Sequence, residues 1–417
     1  MKITGYRPAL LAPFRIRSFR RQFPADLATS WGIEMEVLIL GWYIMSETGS
    51  VRLLALFGSL QYTGTLVAPM LGMAGDRFGH RNILCAMRFS YAVLAGGVLF
   101  LAITDSLQPW YVLAMAGVNG LVRPSDLAIR NALVADIMPG ETLMAAMGVS
   151  RSTSDSARIF GALAGASLLA FLGIAPAYVV VVSFYLLGFG LTATVEQVKP
   201  GAPATGHDGL TFLREVKEGI SYVRRTPAVH AGMWLAFLVN LLAFPMTSGL
   251  LPYVAKEVYH IGQTGLGSLV ASFAAGSLVG SLLIGALGSS LRPGRMMMIF
   301  SSAWFVMVLA FVQMPGPGSG RLALVFAGLS QSLSMVPLAT MLLQIAGARY
   351  RGRVMGVRML AIYGLPVGLM LAGELIPWIG FRATASIYCV AGLGITGLIG
   401  LWWRQSVWPL DAIANRR

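Results

Sequence analysis

Charge is scarce in this chain. Only 12% of its 417 residues are Asp, Glu, Lys or Arg, and 56% are hydrophobic, whereas soluble domains carry about 25% charge. A chain with so little charge and a mean hydropathy of +0.71 is an integral membrane protein rather than a large soluble core. Cysteine is almost absent. Cys85 and Cys389 stand far apart in apolar runs, which excludes a disulfide framework and zinc-finger spacing. The four histidines, His80, His207, His230 and His260, have no ligand partners at metal spacing, so no metal is expected. A Walker A block, a glycine-rich nucleotide loop and a Ser-His-Asp order are all missing. These absences speak against an ATP-driven pump and against an enzyme, and no cofactor is expected. There is no Asn-x-Ser/Thr sequon, which fits a bacterial source. Acid is scarcer than base, giving a net charge of +14. A nucleic-acid surface would gather that excess on one face. Here it is scattered through short loops, as in the cytoplasmic loops of membrane proteins, so the expected partners are the bilayer and a small molecule, with no nucleic acid.

Long apolar runs are what the chain does have. A span needs about 20 mostly apolar residues. That reading gives segments at 24–46, 52–75, 81–103, 109–135, 145–172, 175–194, 229–255, 264–290, 295–313, 321–345, 354–378 and 382–404. The expected fold is all-α and integral to the membrane, with twelve transmembrane helices in two pseudo-symmetric six-helix bundles. The division runs as a basic arm at 1–23, a first bundle at 24–194, a linker at 195–228, a second bundle at 229–404 and a tail at 405–417. Basic residues 1–22 precede a run long enough to span, so this start reads as a retained first helix, not a cleaved signal. Lys2, Arg7, Arg15, Arg17, Arg20 and Arg21 crowd the arm, and more Lys and Arg lie in the second-to-third, sixth-to-seventh, eighth-to-ninth and tenth-to-eleventh loops and in the tail. The opposite loops offer only Arg52, Lys256, Arg321 and Arg382. Both termini are therefore expected in the cytoplasm of a bacterial inner membrane. Within the linker, Leu210, Leu213, Val216, Ile220 and Val223 recur at helical spacing among charges, the pattern of an amphipathic helix at the cytoplasmic surface.

The halves repeat each other weakly. Met147-Gly-Val-Ser-Arg151 returns as Met355-Gly-Val-Arg-Met359, and Gly161-Ala-Leu-Ala-Gly165 returns loosely as Gly368-Leu-Met-Leu-Ala-Gly373, at nearly the same interval. Two related halves around a midplane site is an architecture that transporters reuse.

The densest motif is Gly72-Met-Ala-Gly-Asp-Arg-Phe-Gly-His-Arg81, which reads as a tight charged loop between spans two and three. Twelve spans, a central linker and this block, at Gly72, Asp76, Arg77, Gly79 and Arg81, together resemble the major facilitator superfamily. A decayed copy follows span eight, Gly285 to Arg295, with Ser289 in place of the acid. Phe14-Arg-Ile-Arg-Ser-Phe-Arg-Arg21, Gly41-Trp-Tyr, Thr48-Gly-Ser50 and Ala157-Arg-Ile-Phe-Gly161 look like the branch that includes drug, macrolide and siderophore exporters. Two features depart from drug–proton antiporters of that superfamily: Ala162 stands where they carry proline in span five, and Arg123 is followed by Pro-Ser-Asp, not by the usual Arg-x-x-Gln-Gly continuation. The resemblance implies alternating access, and it implies that Asp76 contacts a span-four arginine, here Arg130, as part of a cytoplasmic gate.

Ionisable residues at membrane depth are costly and point to function. Glu34 and Glu36 lie in span one. A helix beginning at Pro24 would place Glu34 about 15 Å deep, and the two cannot share one face. Which of them faces a cavity stays open. Arg123, Asp126 and Arg130 share a face of span four, and Arg151, Asp155 and Arg158 share one of span five; pairing across the gap would form a charge network. Glu34, Glu36 and Asp126 are candidates for proton coupling. Candidates for a substrate cavity are Arg123, Arg158, Tyr62, Asn240, Phe244, Gln331, Met335 and Tyr363. Glu374, near the far end of span eleven, reads as structural. The expected function is proton-coupled export of an amphipathic, drug-like molecule by a monomer, with the proton gradient as energy source. Export or uptake of a metabolite or siderophore-type anion is the alternative, and a non-transporting receptor or scaffold is the reading from another class.

Overall fold

The computed structural model describes residues 9–197, 209–287 and 292–408, all helices and turns with no strand among them. His207, Ser289 and the side chain of Arg151 lie outside the described residues. The first six spans are α1 (Arg17–Thr48), the pair α2 (Val51–Leu60) and α3 (Ala68–Phe78), α4 (His80–Ile103), α5 (Pro109–Ile137), α6 (Gly140–Ser156) continued through a π turn at Ala157–Gly161 into α7 (Ala162–Leu172), and α8 (Ile174–Ala193). The linker helix is α9 (Gly209–Arg225). The remaining spans begin with α10 (Pro227–Leu242), extended by π turns at Pro245–Gly249 and Val254–Val258 around the short α11 (Leu251–Tyr253). Then come α12 (Gln263–Leu287), α13 (Pro293–Gln313), α14 (Pro317–Ala361), α15 (Gly364–Ile379), α16 (Phe381–Trp402) and the turn α17 (Arg404–Val407). Spans ten and eleven join inside α14, where Gly347 takes φ 60 and ψ 177 and breaks the helix in two, a conformation open to glycine at little cost.

Among the described residues nine helices are long and apolar enough to cross a bilayer, and the bent pair Val51–Thr65 and Met70–Phe78 makes a tenth. At 32 and 29 residues, α1 and α5 have ample length to cross as well; their acidic and basic side chains set them apart. With them the twelve-span membrane fold is complete.

Three expectations change. α1 begins at Arg17, with Pro24 inside it. Its extra turns are held because Phe19 and Phe23 meet Phe14 and a cluster with Val134, Met138 and Ala146. The Gly72–Arg81 block is mostly helix: α3 runs to Phe78, and Gly79, at φ 87, makes the break alone. The linker helix docks on protein. Tyr222 stacks on Tyr350 at 4.5 Å, its hydroxyl donates to the Ile345 carbonyl at 3.1 Å, and Glu218 pairs with Arg353 at 3.0 Å.

Contacts group the chain into two compact units, Met1–Leu40 with Leu66–Thr205, and Gly41–Thr65 with Gly206–Arg417. In the first, α1 is packed on both sides through glycine. A Cβ on Gly165 would lie 3.0 Å from Met35 Cα, and one on Gly188 would strike the Thr29 hydroxyl. An ion pair fastens the same helices: Arg88 of α4, fully buried, bonds Asp26 of α1 and Thr192 of α8, and Gln22 Nε2 donates to Asp26 at 2.6 Å.

In the second unit α12 and α14 touch backbone to backbone. A Cβ on Gly276 would lie 1.9 Å from the Val325 carbonyl oxygen, and one on Gly328 2.0 Å from that of Phe273. The segment 41–65 belongs here for similar reasons. Gly58 and Gly373 admit Leu369 and Ala55, and Ser59 donates to the Pro366 carbonyl at 3.1 Å. Lys256 Nζ donates to the Met45 carbonyl at 2.8 Å, and Arg52 pairs with Glu374 at 3.2 Å.

Two stability measurements follow from this packing. Gly276→Ala puts a methyl into the α14 backbone and is expected to cost about 2 kcal/mol or more. Gly285→Ala, on the same helix with nothing within 4 Å, serves as the neutral control in thermal denaturation in detergent. Arg88→Leu leaves Asp26 buried without its ion-pair partner and is expected to cost about 3 to 5 kcal/mol, whereas Asp26→Leu with Arg88→Met recovers most of it. Equal thermal midpoints for Arg88→Leu and the native chain would remove the pair from the account.

Candidate functional site

The first unit holds a polar interior built on α1, α4, α5 and α8. Glu36 is buried, 3% exposed. Gly32, one turn earlier, leaves room for the Tyr185 ring, since a Cβ there would lie 2.9 Å from Tyr185 Cε1. The ring thereby reaches the next turn, and its hydroxyl donates to Glu36 Oε2 at 2.8 Å. Glu36 Oε1 is buried with no hydrogen-bond partner among the described residues, as are the hydroxyls of Tyr91 and Tyr178. Arg123 of α5 donates to the Ile33 carbonyl at 3.0 Å and interacts electrostatically with both Glu36 and Glu34. Glu34 diverges from Glu36, as a two-residue step on a helix requires. It is partly buried, and its Cβ lies 3.2 Å from where a Cβ on Gly161 would stand, at the end of the π turn.

A second polar cluster lies toward the N-terminal end of α1, about 15 Å from Glu36 along the helix axis. Its core is Asp26 with Arg88, and Arg130 and Asp126 act on Asp26 electrostatically. Arg130 donates to the Ser30 hydroxyl at 2.8 Å and stands 3.7 Å from Asp126 one turn earlier on α5. Asp126 thus has a partner within α5, one turn away on the same face; the Arg151 side chain expected opposite it on α6 lies outside the described residues. Asp155 is partly buried and engaged, while Arg158, in the π turn, is exposed. Asp26 and Arg88 were not legible as a site. Asp26 follows Pro24 closely and Arg88 stands early in its span, so both resemble interfacial charge.

The motif residues are arranged around His80. Its Nδ1 lies 2.7 Å from Asp136 Oδ2 and its Nε2 lies 3.3 Å from Asp76 Oδ1. Asp76 thus meets His80, and the Arg130 guanidinium implied as its partner is turned into the interior toward Ser30 and Asp126. Arg77 sits 5.4 Å over the Phe78 ring, and Arg81 acts on Cys85. Gly72 lies inside α3 with nothing near its Cβ position.

In the second unit the polar candidates bind their own surroundings. Asn240 donates to the Ala236 carbonyl at 2.8 Å, Gln331 accepts from Ser277 at 3.0 Å, and Tyr363 donates to the Thr63 carbonyl at 3.1 Å. Phe244 packs edge-on against Trp304 at 4.8 Å. Met335 is partly buried on α14, and Tyr62, beside Thr63, is partly buried and engaged. Ser277 also meets Ser332 at 2.8 Å, and Ser301 meets Ser334 at 2.5 Å, so α12, α13 and α14 share a hydroxyl and amide seam. No cluster of three or more His, Cys, Asp or Glu suited to a metal occurs among the described residues.

Comparison with known proteins agrees with this architecture. The family model of the Major Facilitator Superfamily matches residues 27–366 and 233–412. The uncharacterized MFS-type transporter YfiS of Bacillus subtilis (strain 168) is 23% identical over 356 residues, spanning 81% of this chain and 80% of its own. Among solved structures, the nucleoside transporter NupG superposes with a TM-score of 0.69 at 13% identity, over 94% of this chain and 99% of that one. A bacterial homolog of the human lysosomal transporter Spinster, inward-facing and unoccupied, gives 0.71 at 14% identity, over 97% and 99%. A POT family transporter in complex with 5-aminolevulinic acid gives 0.72 at 10% identity, over 94% and 97%. At such identities the solved structures speak to the fold alone, and the family model carries the assignment: this chain belongs to the major facilitator superfamily, as a multi-pass membrane transporter and not an enzyme.

Proposed function

We propose that the protein exports an amphipathic small molecule by alternating access, in exchange for protons carried on Glu36. The observation that carries this reading is charge balance. Around Arg123 stand two carboxyls, Glu34 and Glu36, so one proton brings that cluster to neutrality. Around Asp26 the count among the described residues is even, with Arg88 and Arg130 against Asp26 and Asp126; a proton added there would leave a buried net positive charge, which is costly. The first cluster is therefore the one suited to gain and lose a proton. Glu36 is the better placed of its acids, because it is the more buried and its two oxygens are differently served: one accepts from Tyr185, and the other has no partner among the described residues.

The substrate class rests on the second unit. Its polar candidates are engaged within the protein, which leaves Phe244, Met335 and neighbouring apolar groups as wall. Such a wall suits an amphipathic molecule, helped by the adaptable methionine thioether, better than a hydroxyl-rich one that needs several dedicated partners. An anionic metabolite or siderophore is the weaker reading. Arg123 already has Glu34 and Glu36 as counter-charges, so a further anion would raise the net negative charge of its cluster. A receptor or scaffold without transport is discriminated by the same assay.

The test uses proteoliposomes with ethidium as the probe and a pH dye in the lumen. The native protein is expected to move ethidium and protons in opposite directions, with ethidium accumulation abolished by an uncoupler. Glu36→Gln is expected to lose coupled proton movement while retaining its thermal midpoint. Coupled proton flux persisting in Glu36→Gln and lost in Glu34→Gln or Asp126→Asn would move the proton site. Ethidium accumulation indifferent to the uncoupler would overturn proton coupling altogether.

A further inference from the structure

Base and indole gather at one end of the second unit. α9 closes on Arg224 and Arg225, α10 opens at Pro227, and α16 ends at Trp402, followed by Trp403 and by Arg404, the first residue of α17. A ring contact joins these chain segments. The amide of His230 donates to the carbonyl of Thr226, the residue after Arg225, at 2.9 Å. The Trp234 indole N–H donates to His230 Nε2 at 3.0 Å, and the same imidazole meets the Trp403 ring at 5.4 Å between centres. An indole can only donate, so Nε2 is an acceptor and the imidazole is fixed as a platform between two tryptophans. Trp402 stands 6.3 Å from Trp403. Arg225 and Arg404 thus flank one His–Trp contact from two different segments. Both are exposed, as is Arg224. The acid at this end whose side chain is described, Glu218, is taken by Arg353 at 3.0 Å. Beside these cations Trp402 is 82% exposed and Trp234 50%. The other end of the unit differs: Trp378 is equally open, but Glu374 stands one turn before it on α15.

We propose that this corner, made by Arg225, His230, Trp234, Trp402 and Arg404, is a binding site for an anionic phospholipid. The two guanidinium groups take the headgroup phosphate, for which their planar forks are suited. The indoles cover the glycerol and the first stretch of acyl chain, the depth at which tryptophan sits in a bilayer. Anionic lipid is favoured over zwitterionic lipid by charge. A choline headgroup brings its own cation to a corner that already holds two, whereas a phosphatidylglycerol brings one uncompensated negative charge. Each arginine near an anionic surface is worth about 1 kcal/mol, which is about fivefold in partitioning. Free phosphate would meet the same guanidinium groups and leave the two exposed indoles uncovered, so the occupant is the lipid and not the ion. The corner lies where the linker helix passes into the second unit, so a lipid seated there would touch α9, α10 and α17 together. The site is independent of the proposed function, because it involves none of the groups assigned to substrate or proton.

The experiment reads tryptophan fluorescence of the full-length protein in phosphatidylcholine vesicles that contain a minor fraction of brominated lipid, since bromine quenches the indoles it touches. Brominated phosphatidylglycerol is expected to quench the native chain more than the same fraction of brominated phosphatidylcholine. Arg225→Gln with Arg404→Gln is expected to lower that preference about 25-fold, from two arginines at about fivefold each, and so to erase the excess. Arg225→Lys with Arg404→Lys, which keeps the charge, is expected to retain most of it. Trp234→Phe with Trp402→Phe is expected to remove the excess by removing the indoles that report it. Thermal midpoints of all variants in phosphatidylcholine alone are expected to match the native chain. Equal quenching of the native chain by the two lipids overturns the proposal, as does an excess that survives the glutamine pair or is lost in the lysine pair. An excess untouched by the tryptophan pair puts the lipid elsewhere and overturns the site. Displacement of the excess by inorganic phosphate, beyond the effect of sodium chloride at equal ionic strength, makes the occupant an ion and overturns the lipid.

Discussion

A charge taken out of water without a counter-charge costs several kcal/mol, and the first unit is arranged around that constraint. Arg88, Arg123 and Arg130 each enter the interior of this unit, and each is met by an acceptor from α1: Asp26, the Ile33 carbonyl and the Ser30 hydroxyl. α1 therefore acts as the acceptor strip of the unit. Its position is determined by three guanidinium contacts from α4 and α5, and by the glycines of α7 and α8 that let it come close. Pro24 is tolerated inside this helix because the turn before it is anchored by Phe19 and Phe23 in a separate apolar cluster.

The second unit meets the same lipid environment with no buried charged side chain among its described residues. Its close approaches are made by Gly276, Gly328, Gly364 and Gly368, and its polar side chains satisfy one another across α12, α13 and α14. The packing repeats between the halves in a register different from the one the sequence pairing suggests, since Gly373, paired by sequence with Gly165, meets Ala55 of α2. Gly161 and Gly165 receive Trp31 and Met35 of α1, and Gly364 and Gly368 receive Phe237 and Leu241 of α10. In each half the fifth span approaches the first through glycine. Small residues that admit a neighbouring backbone are a recurrent means of helix association in membranes, and here they persist where the charges of the first half do not.

Hydropathy made the spans legible, because apolar length is a property of consecutive residues. Charges at depth made Glu36, Arg123 and Arg130 legible for the same reason. Partnership was less so. Asp126 and Arg130 share a face by spacing, yet their bond within one helix could not be told from a bond between helices. Asp26 and Arg88 are 62 residues apart and become a pair only once α1 and α4 are side by side. The π turn at Ala157–Gly161 shifts the azimuth of every later residue, which no ideal helical wheel through Arg151, Asp155 and Arg158 anticipates. The motif read as a loop because glycine and charge are loop composition; only Gly79 needs the backbone freedom that composition suggests.

The uneven distribution of charge also bears on how the two units divide the proposed work. A proton that changes the charge of a buried cluster changes what that cluster binds, so the unit that carries the proton must also reorganise when it leaves. The Asp26 cluster, with equal numbers of cations and anions, resists such change and holds α1 to α4 and α8. The Arg123 cluster, one acid in excess, is free to respond on the same helix about 15 Å away. Coupling then needs no charged substrate site in the second unit. In the proposed cycle protonation of Glu36 would alter the hold of α5 and α8 on α1, while the second unit, with no buried charged side chain among its described residues, would present an electrically constant wall. On the proposed function, a protein built this way would suit substrates recognised by shape and apolar contact, with the energy of the cycle entering through one carboxyl of the first unit.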